Sequence, residues 1–97
     1  MTANELNKMS FNKLSTLGAN VINGMTEAEL RKIDVAVLNN INEHEFQRLS
    51  VKVFENLSLN KMRKIYYNRL IHNIPTTTIM KMSNKTFTKF KKAIFEK

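Results

Sequence analysis

One pattern of eight residues recurs along almost the whole chain. Each unit starts with a residue that commonly caps a helix, has an apolar residue four positions later, and has a second apolar residue three positions after that. Eleven units cover residues 2–90, and nine of their first positions hold Ser, Thr, Asp, Asn or Pro, which favour helix starts. The first positions are Thr2, Ser10, Gly18, Thr26, Asp34, Asn42, Ser50, Ser58, Tyr66, Pro75 and Ser83.

This period excludes a single long helix. Eight residues at about 100° each turn the chain about 80° beyond two full turns, so the apolar stripe would circle a continuous helix. A strand is excluded as well, because the apolar pairs lie three positions apart rather than two. The pattern therefore predicts an all-α fold made of short helices of about six to ten residues, each with its own cap.

Neighbouring units alternate in character. The fourth position holds Val21, Val37 and Val53 in three alternate units, whereas the units at Thr26 and Asn42 have Glu at their second and fourth positions. The alternation predicts a repeat of about 16 residues, in which a polar short helix and a more deeply buried one form a hairpin. Stacked hairpins of this kind form an α-solenoid, and the sequence texture is similar to that of short-helix solenoids.

The length of 97 residues fits a single domain, since domains cluster near roughly 100–150 residues. Within 1–97 we expect regular repeats over 2–70, a wider loop over 71–78, and a basic C-terminal helix or helices over 79–97. The loop is predicted because one residue is inserted there and Pro75 is followed by three threonines. The expected central core consists of Leu30, Ile33, Val37, Leu38, Phe46, Leu49, Val53 and Phe54.

Charge is distributed unevenly between the two halves. Residues 1–49 hold five basic and six acidic side chains, whereas residues 50–97 hold eleven basic and two acidic ones. No acidic residue lies between Leu57 and Phe95. Such asymmetry is typical of a surface that meets an anionic partner. The alternative is a compositional bias, which the 13 asparagines and the excess of Lys over Arg would also reflect.

Several classes of function are excluded by what the chain lacks. It has no Cys and only two Gly, which excludes a disulfide scaffold, a thiol nucleophile and a glycine-rich phosphate loop. The carboxylates of Glu43 and Glu45 lie two positions apart and therefore on different helix faces. His44 and His72 have no companion ligands nearby. We therefore expect no enzyme activity, cofactor, metal or small-molecule ligand.

Two basic segments are the candidate working surface. The first is 61–69, where basic residues surround Tyr66 and Tyr67, and the second is the amphipathic segment 85–95. In both segments, packing of the aromatic rings in the core is the structural alternative. The candidate binding residues are Lys61, Arg63, Lys64, Arg69, Lys85, Lys89, Lys91 and Lys92.

The main functional hypothesis is a non-enzymatic interaction module that binds an acidic protein partner through a basic C-terminal face. One alternative is nucleic-acid binding, because cations hold phosphates and tyrosine rings stack on bases. A weaker alternative is attachment of the segment 85–95 to a membrane surface. We expect a cytoplasmic protein, or one delivered into another cell's cytosol. The ends of the helical stack are a possible contact between copies of the chain in a homo-oligomer. Reversing the charges of Lys61, Lys64 and Arg69 is expected to weaken partner binding and leave folding intact.

Overall fold

Short α-helices make up the whole secondary structure of the described part of the chain. The computed structural model describes residues 1–96, and these residues form eleven helices and no strand, as the all-α prediction requires. The helices are α1 (Ala3–Asn7), α2 (Phe11–Leu14), α3 (Ala19–Asn23), α4 (Glu27–Leu30), α5 (Val35–Asn40), α6 (Glu43–Phe46), α7 (Val51–Glu55), α8 (Leu59–Lys64), α9 (Tyr67–His72), α10 (Thr76–Met80) and α11 (Asn84–Phe95).

Every one of these helices starts directly after the first residue of a predicted unit. Six of the eleven N-cap side chains accept a hydrogen bond from a backbone N–H in the first turn of the helix. At Thr2 the contact is reciprocal, because the Glu5 carboxylate accepts the Thr2 backbone N–H at 3.1 Å. Seven helices have only four or five residues, fewer than the six to ten predicted, because the turn and the cap take up the rest of each unit, while α5, α8 and α9 have six.

The connection between α9 and α10 is shorter than predicted. Helix α9 continues to His72 and α10 begins at Thr76, so the expected wide loop over 71–78 is wrong and only residues 73–75 connect the helices. Pro75 is the N-cap of α10, and its carbonyl accepts the N–H groups of Thr78 and Ile79 at 2.9 and 3.0 Å. Proline has no N–H to leave unpaired at a helix start, so the threonine run is helical despite its weak propensity.

The apolar pairs of the repeat form one continuous core. All eight residues predicted for its centre are buried, and the rings of Phe46 and Phe54 meet edge to face with centroids 6.0 Å apart. Helix α11 departs from the repeat register. It buries Thr86, Phe90 and Ala93, at helical spacings of four and three, and this leaves Phe87 at the border of the core with 39% of its surface exposed.

Three asparagines, spaced 16 residues apart, connect distant helices in the same way. Each side-chain Nδ2 donates to the carbonyl 25 residues later at 3.0 Å, and each Oδ1 accepts from the backbone N–H 27 residues later at 2.8 Å. These asparagines are Asn7, Asn23 and Asn39, and their partners are Lys32 and Asp34, Arg48 and Ser50, and Lys64 and Tyr66, respectively. Each asparagine thereby holds two polar backbone groups of the turn that starts a later helix.

Glutamates make a second set of equivalent contacts. The Oε1 atoms of Glu29 and Glu45 accept the backbone N–H groups of Ala3 and Ala19, each at 2.8 Å and across 26 residues. Most of the helix pairs in closest contact are correspondingly three or four positions apart in the chain, such as α2 with α5 and α3 with α7. Helix α11 packs mainly on α8 and also contacts α9, two positions away. The body is compact, with extents of 31 × 25 × 23 Å.

Candidate functional site

The eight candidate binding residues fall into two groups of four. The exposed group is Lys64, Lys85, Lys91 and Lys92, and the partly buried group is Lys61, Arg63, Arg69 and Lys89. In the partly buried group, three side chains donate to backbone carbonyls of distant chain segments. The sequence pattern predicted charge at these positions but not this structural use of it.

Two lysines serve as caps for backbone carbonyls. The Lys61 ammonium donates to the carbonyls of Arg31 and Ile33, both at 2.8 Å, and the Lys89 ammonium donates to the Leu57 carbonyl at 2.8 Å. These carbonyls lie at or just after helix C-termini, where no intrahelical partner remains. A cation there also interacts favourably with the helix dipole. Both ammonium groups are therefore held in place by the backbone.

Arg69 occupies the position where the repeat has Val in three other units. Its Nη1 donates to the Leu38 carbonyl at 3.1 Å, and its guanidinium carbon lies 5.2 Å from the centre of the Phe46 ring. Burial lowers the pKa of Arg69, and the charges of Glu43 and Tyr66 only partly oppose that shift. Arg69 thus helps to hold the core together.

These contacts change what we expect from reversing Lys61, Lys64 and Arg69 together. A carboxylate at position 61 or 69 would face backbone carbonyl oxygens, so the triple variant would lose stability as well as binding. Of the three, Lys64 alone has an exposed side chain with no hydrogen bond or ion pair inside residues 1–96. Arg63 is also constrained, because its Nε atom is buried and has no partner in the same range.

The aromatic residues of both segments are only partly in the core. Tyr66 lies at the junction between α8 and α9 and is 59% exposed. Tyr67 is 43% exposed, so the expected buried position for Tyr67 is wrong. In α11, Phe90 is buried, whereas Phe87 and Phe95 are exposed. The final helix therefore packs on the rest of the body and still presents apolar surface.

A cleft of about 360 Å³ brings basic side chains from three parts of the chain together. Its walls include Arg31 at the end of α4, Lys61 in α8, and Lys85 and Lys89 in α11, together with the carboxylate of Glu55. Three of these cations belong to the predicted set. Arg31 was missed because it lies in the half of the chain without excess positive charge. No pattern in the sequence indicates it, because Arg31 and Lys61 lie 30 residues apart in the chain.

Glu55 is the negative residue of the cleft, and it is already engaged. Its two carboxylate oxygens accept the backbone N–H of Ser83 at 2.8 Å and the Ser83 hydroxyl at 2.9 Å. Burial raises the pKa of Glu55, but the hydrogen bonds from Ser83 and from the Thr86 hydroxyl, with the nearby Lys89 charge, outweigh it. The net effect is a pKa below the ordinary value, so the folded state favours the carboxylate.

This shift predicts an acid-sensitive contribution of Glu55 to stability. A carboxyl with a lowered folded-state pKa stabilises the fold above its unfolded-state pKa and loses that effect as pH falls through the folded-state pKa. The wild-type protein should therefore be more stable than Glu55→Gln at neutral pH, and the difference should shrink as pH drops below about 4. Urea titrations at several pH values measure this. Glu27→Gln is the control, because Glu27 is exposed, and it should change little at any pH.

Residues 1–96 contain neither a metal-binding cluster nor a membrane-spanning helix. That range contains no group of three or more His, Cys, Asp or Glu residues placed to hold a metal ion. None of its helices combines the length and the apolar character needed to cross a membrane. Comparison of the chain with protein-family models, with curated proteins and with solved structures finds no match.

Proposed function

We propose that the protein is a non-enzymatic interaction module that binds an acidic protein partner through the basic surface of its C-terminal half. The observation that carries this proposal is the packing of α11 on α8, the two helices richest in cations. This packing places Lys61 and Lys64 on a helix adjacent to the one that carries Lys85, Lys89 and Lys92. A concentrated positive field attracts acidic partners and speeds their encounter.

We also propose that the helices wind into a superhelical repeat that serves as the scaffold for this surface. Contacts between helices three or four apart support a coil with between three and four helices per turn, rather than a row of hairpins. The equivalent hydrogen bonds of Asn7, Asn23 and Asn39 support a repeating unit of 16 residues. In such a repeat each turn is stabilised mainly by its neighbours.

Nucleic acid is the second candidate partner, and the exposure of Tyr66 and Tyr67 favours it, since exposed rings can stack on bases. Against it, neither tyrosine is among the residues that line the cationic cleft. The cations of the cleft are therefore separate from the rings that could stack on bases, which favours a protein partner. A salt titration with a 20-base-pair duplex DNA tests the alternative.

We expect that Lys64→Glu/Lys92→Glu weakens binding of an acidic probe by about tenfold or more, because both side chains are exposed and each reversal changes attraction into repulsion. The probe is a polyglutamate peptide, and affinity is measured by fluorescence anisotropy at physiological salt. The fold should be unaffected, since surface changes usually shift stability by less than about 0.5 kcal/mol.

The matched control is Lys8→Glu/Lys13→Glu, which makes the same change of charge at two exposed lysines of the N-terminal half. It should alter affinity much less. Equal losses in the two variants would show that only net charge matters and would contradict a localised basic surface. Tighter, saturable binding of the duplex DNA than of polyglutamate would instead support the nucleic-acid function.

A further inference from the structure

The cationic cleft has an excess of positive charge that the described residues do not neutralise. Four cations, Arg31, Lys61, Lys85 and Lys89, share its walls with one carboxylate, Glu55. Both oxygens of that carboxylate are occupied by Ser83. The side chains of Arg31 and Lys85 make no hydrogen bond or ion pair within residues 1–96. Like charges gathered in a concave surface repel one another, and a bound anion relieves that repulsion.

Two of the cations are pre-positioned. An ammonium group has three donors. Lys61 uses two of its donors on backbone carbonyls and Lys89 uses one, so one donor of Lys61 and two of Lys89 remain. Because these side chains are already held by the backbone, a ligand would not have to restrict them again. Arg31 and Lys85, which are exposed, add further donors to the cleft lining.

We propose that this cleft binds the phosphate group of a phosphorylated serine or threonine in the acidic partner, an inference that rests on the proposed function. A phosphate group has a charge of about −1.5 to −2 and three acceptor oxygens, so it can accept donors from several walls at once. A carboxylate has one negative charge and two coplanar oxygens. The cleft volume of about 360 Å³ leaves room for the residues that flank the phosphate.

The test is a ¹H–¹⁵N NMR titration of the full chain with three probes. They are a short acidic peptide with one phosphoserine, the same peptide with Glu in place of the phosphoserine, and inorganic phosphate. We expect the phosphopeptide to bind about tenfold more tightly than the Glu peptide. We also expect the amide signals of Leu57 and Ser58, which line the cleft, to shift with the phosphopeptide and with inorganic phosphate.

Two double variants with the same change of charge locate the site. Arg31→Gln/Lys85→Gln removes the two cleft cations that have no structural hydrogen bonds, so it should fold normally and bind the phosphopeptide at least about tenfold more weakly. Lys8→Gln/Lys13→Gln removes two exposed cations of the N-terminal half, outside the cleft lining, and should change phosphopeptide affinity by less than about threefold.

The outcomes separate this inference from the proposed function. Equal affinity for the phosphopeptide and the Glu peptide would overturn the phosphate site and leave the acidic-partner module standing. Failure of both peptides to bind would overturn both proposals. Equal losses in the two double variants, or shifts confined to amides outside the cleft, would overturn the assignment of the site. Tighter binding of duplex DNA than of the phosphopeptide would overturn a phosphoprotein partner.

Discussion

Replacing Phe54 with alanine is expected to lower the free energy of unfolding by about 3–5 kcal/mol. The side chain is 1% exposed, and its ring packs edge to face on Phe46 at the centre of the core. Truncation removes this contact and leaves a cavity in the core, which the surrounding helices fill only in part. Urea denaturation followed by circular dichroism at 222 nm measures the loss. Phe54→Leu, a smaller change, keeps the measurement on scale if the alanine variant is largely unfolded.

The control uses the same substitution at a different depth. Phe11 is 67% exposed, so Phe11→Ala should shift the free energy of unfolding by less than about 0.5 kcal/mol. A cost below about 1 kcal/mol for Phe54→Ala would contradict the central position assigned to this ring.

The double variant Asn23→Ala/Asn39→Ala is expected to cost about 2–6 kcal/mol, because each asparagine makes two interhelical hydrogen bonds worth about 0.5–1.5 kcal/mol each. Truncation leaves the carbonyls of Arg48 and Lys64 without a donor. It also leaves the backbone N–H groups of Ser50 and Tyr66 without an acceptor. The losses should add, since the two residues have separate partners. The same urea titration measures the effect.

Asn60→Ala/Asn68→Ala is the matched control. Both side chains are exposed within helices and make no hydrogen bond inside residues 1–96, so alanine should leave stability unchanged or raise it slightly. If both double variants lose the same stability, the interhelical role of Asn23 and Asn39 is refuted.

Much of the local structure could be predicted from the chain alone. Within residues 1–96, all eleven helix N-caps are the first positions of the eight-residue units, and the eight residues assigned to the central core are buried. Both features depend on short-range rules. A capping side chain bonds to an N–H two or three residues away, and apolar residues three or four apart lie on one helix face.

The departures occur where one local rule competes with another. The threonine run after Pro75 favoured a loop, but the proline capped a helix and the loop shrank to residues 73–75. In α11 the helix continues for 12 residues, so the buried face follows the helical period rather than the eight-residue unit, and Phe87 moves to the border. In a continuous helix, residues three and four apart lie on one face, and that face stays buried along the whole helix. In the shorter units each new cap sets the direction of the next helix again.

The candidate site shows the limit of sequence reasoning most clearly. A run without acidic residues pointed to the basic surface, yet it did not distinguish Lys64, which is exposed, from Lys61 and Arg69, which donate to carbonyls. It also missed Arg31, which reaches the cleft from a distant helix. Charge is visible in a sequence, whereas the partner of a charge depends on chain segments about 30 residues away.

By itself the sequence determined where each helix begins, which side chains enter the core, and which half of the chain has the excess of positive charge. These properties follow from caps, apolar spacing and composition, all of which act within about one unit of the chain. The tertiary structure alone decided which cations stabilise the backbone, which stay exposed, and that four of them share a cleft with Glu55. Those outcomes depend on helices three or four apart coming into contact, and no local residue pattern specifies that distance.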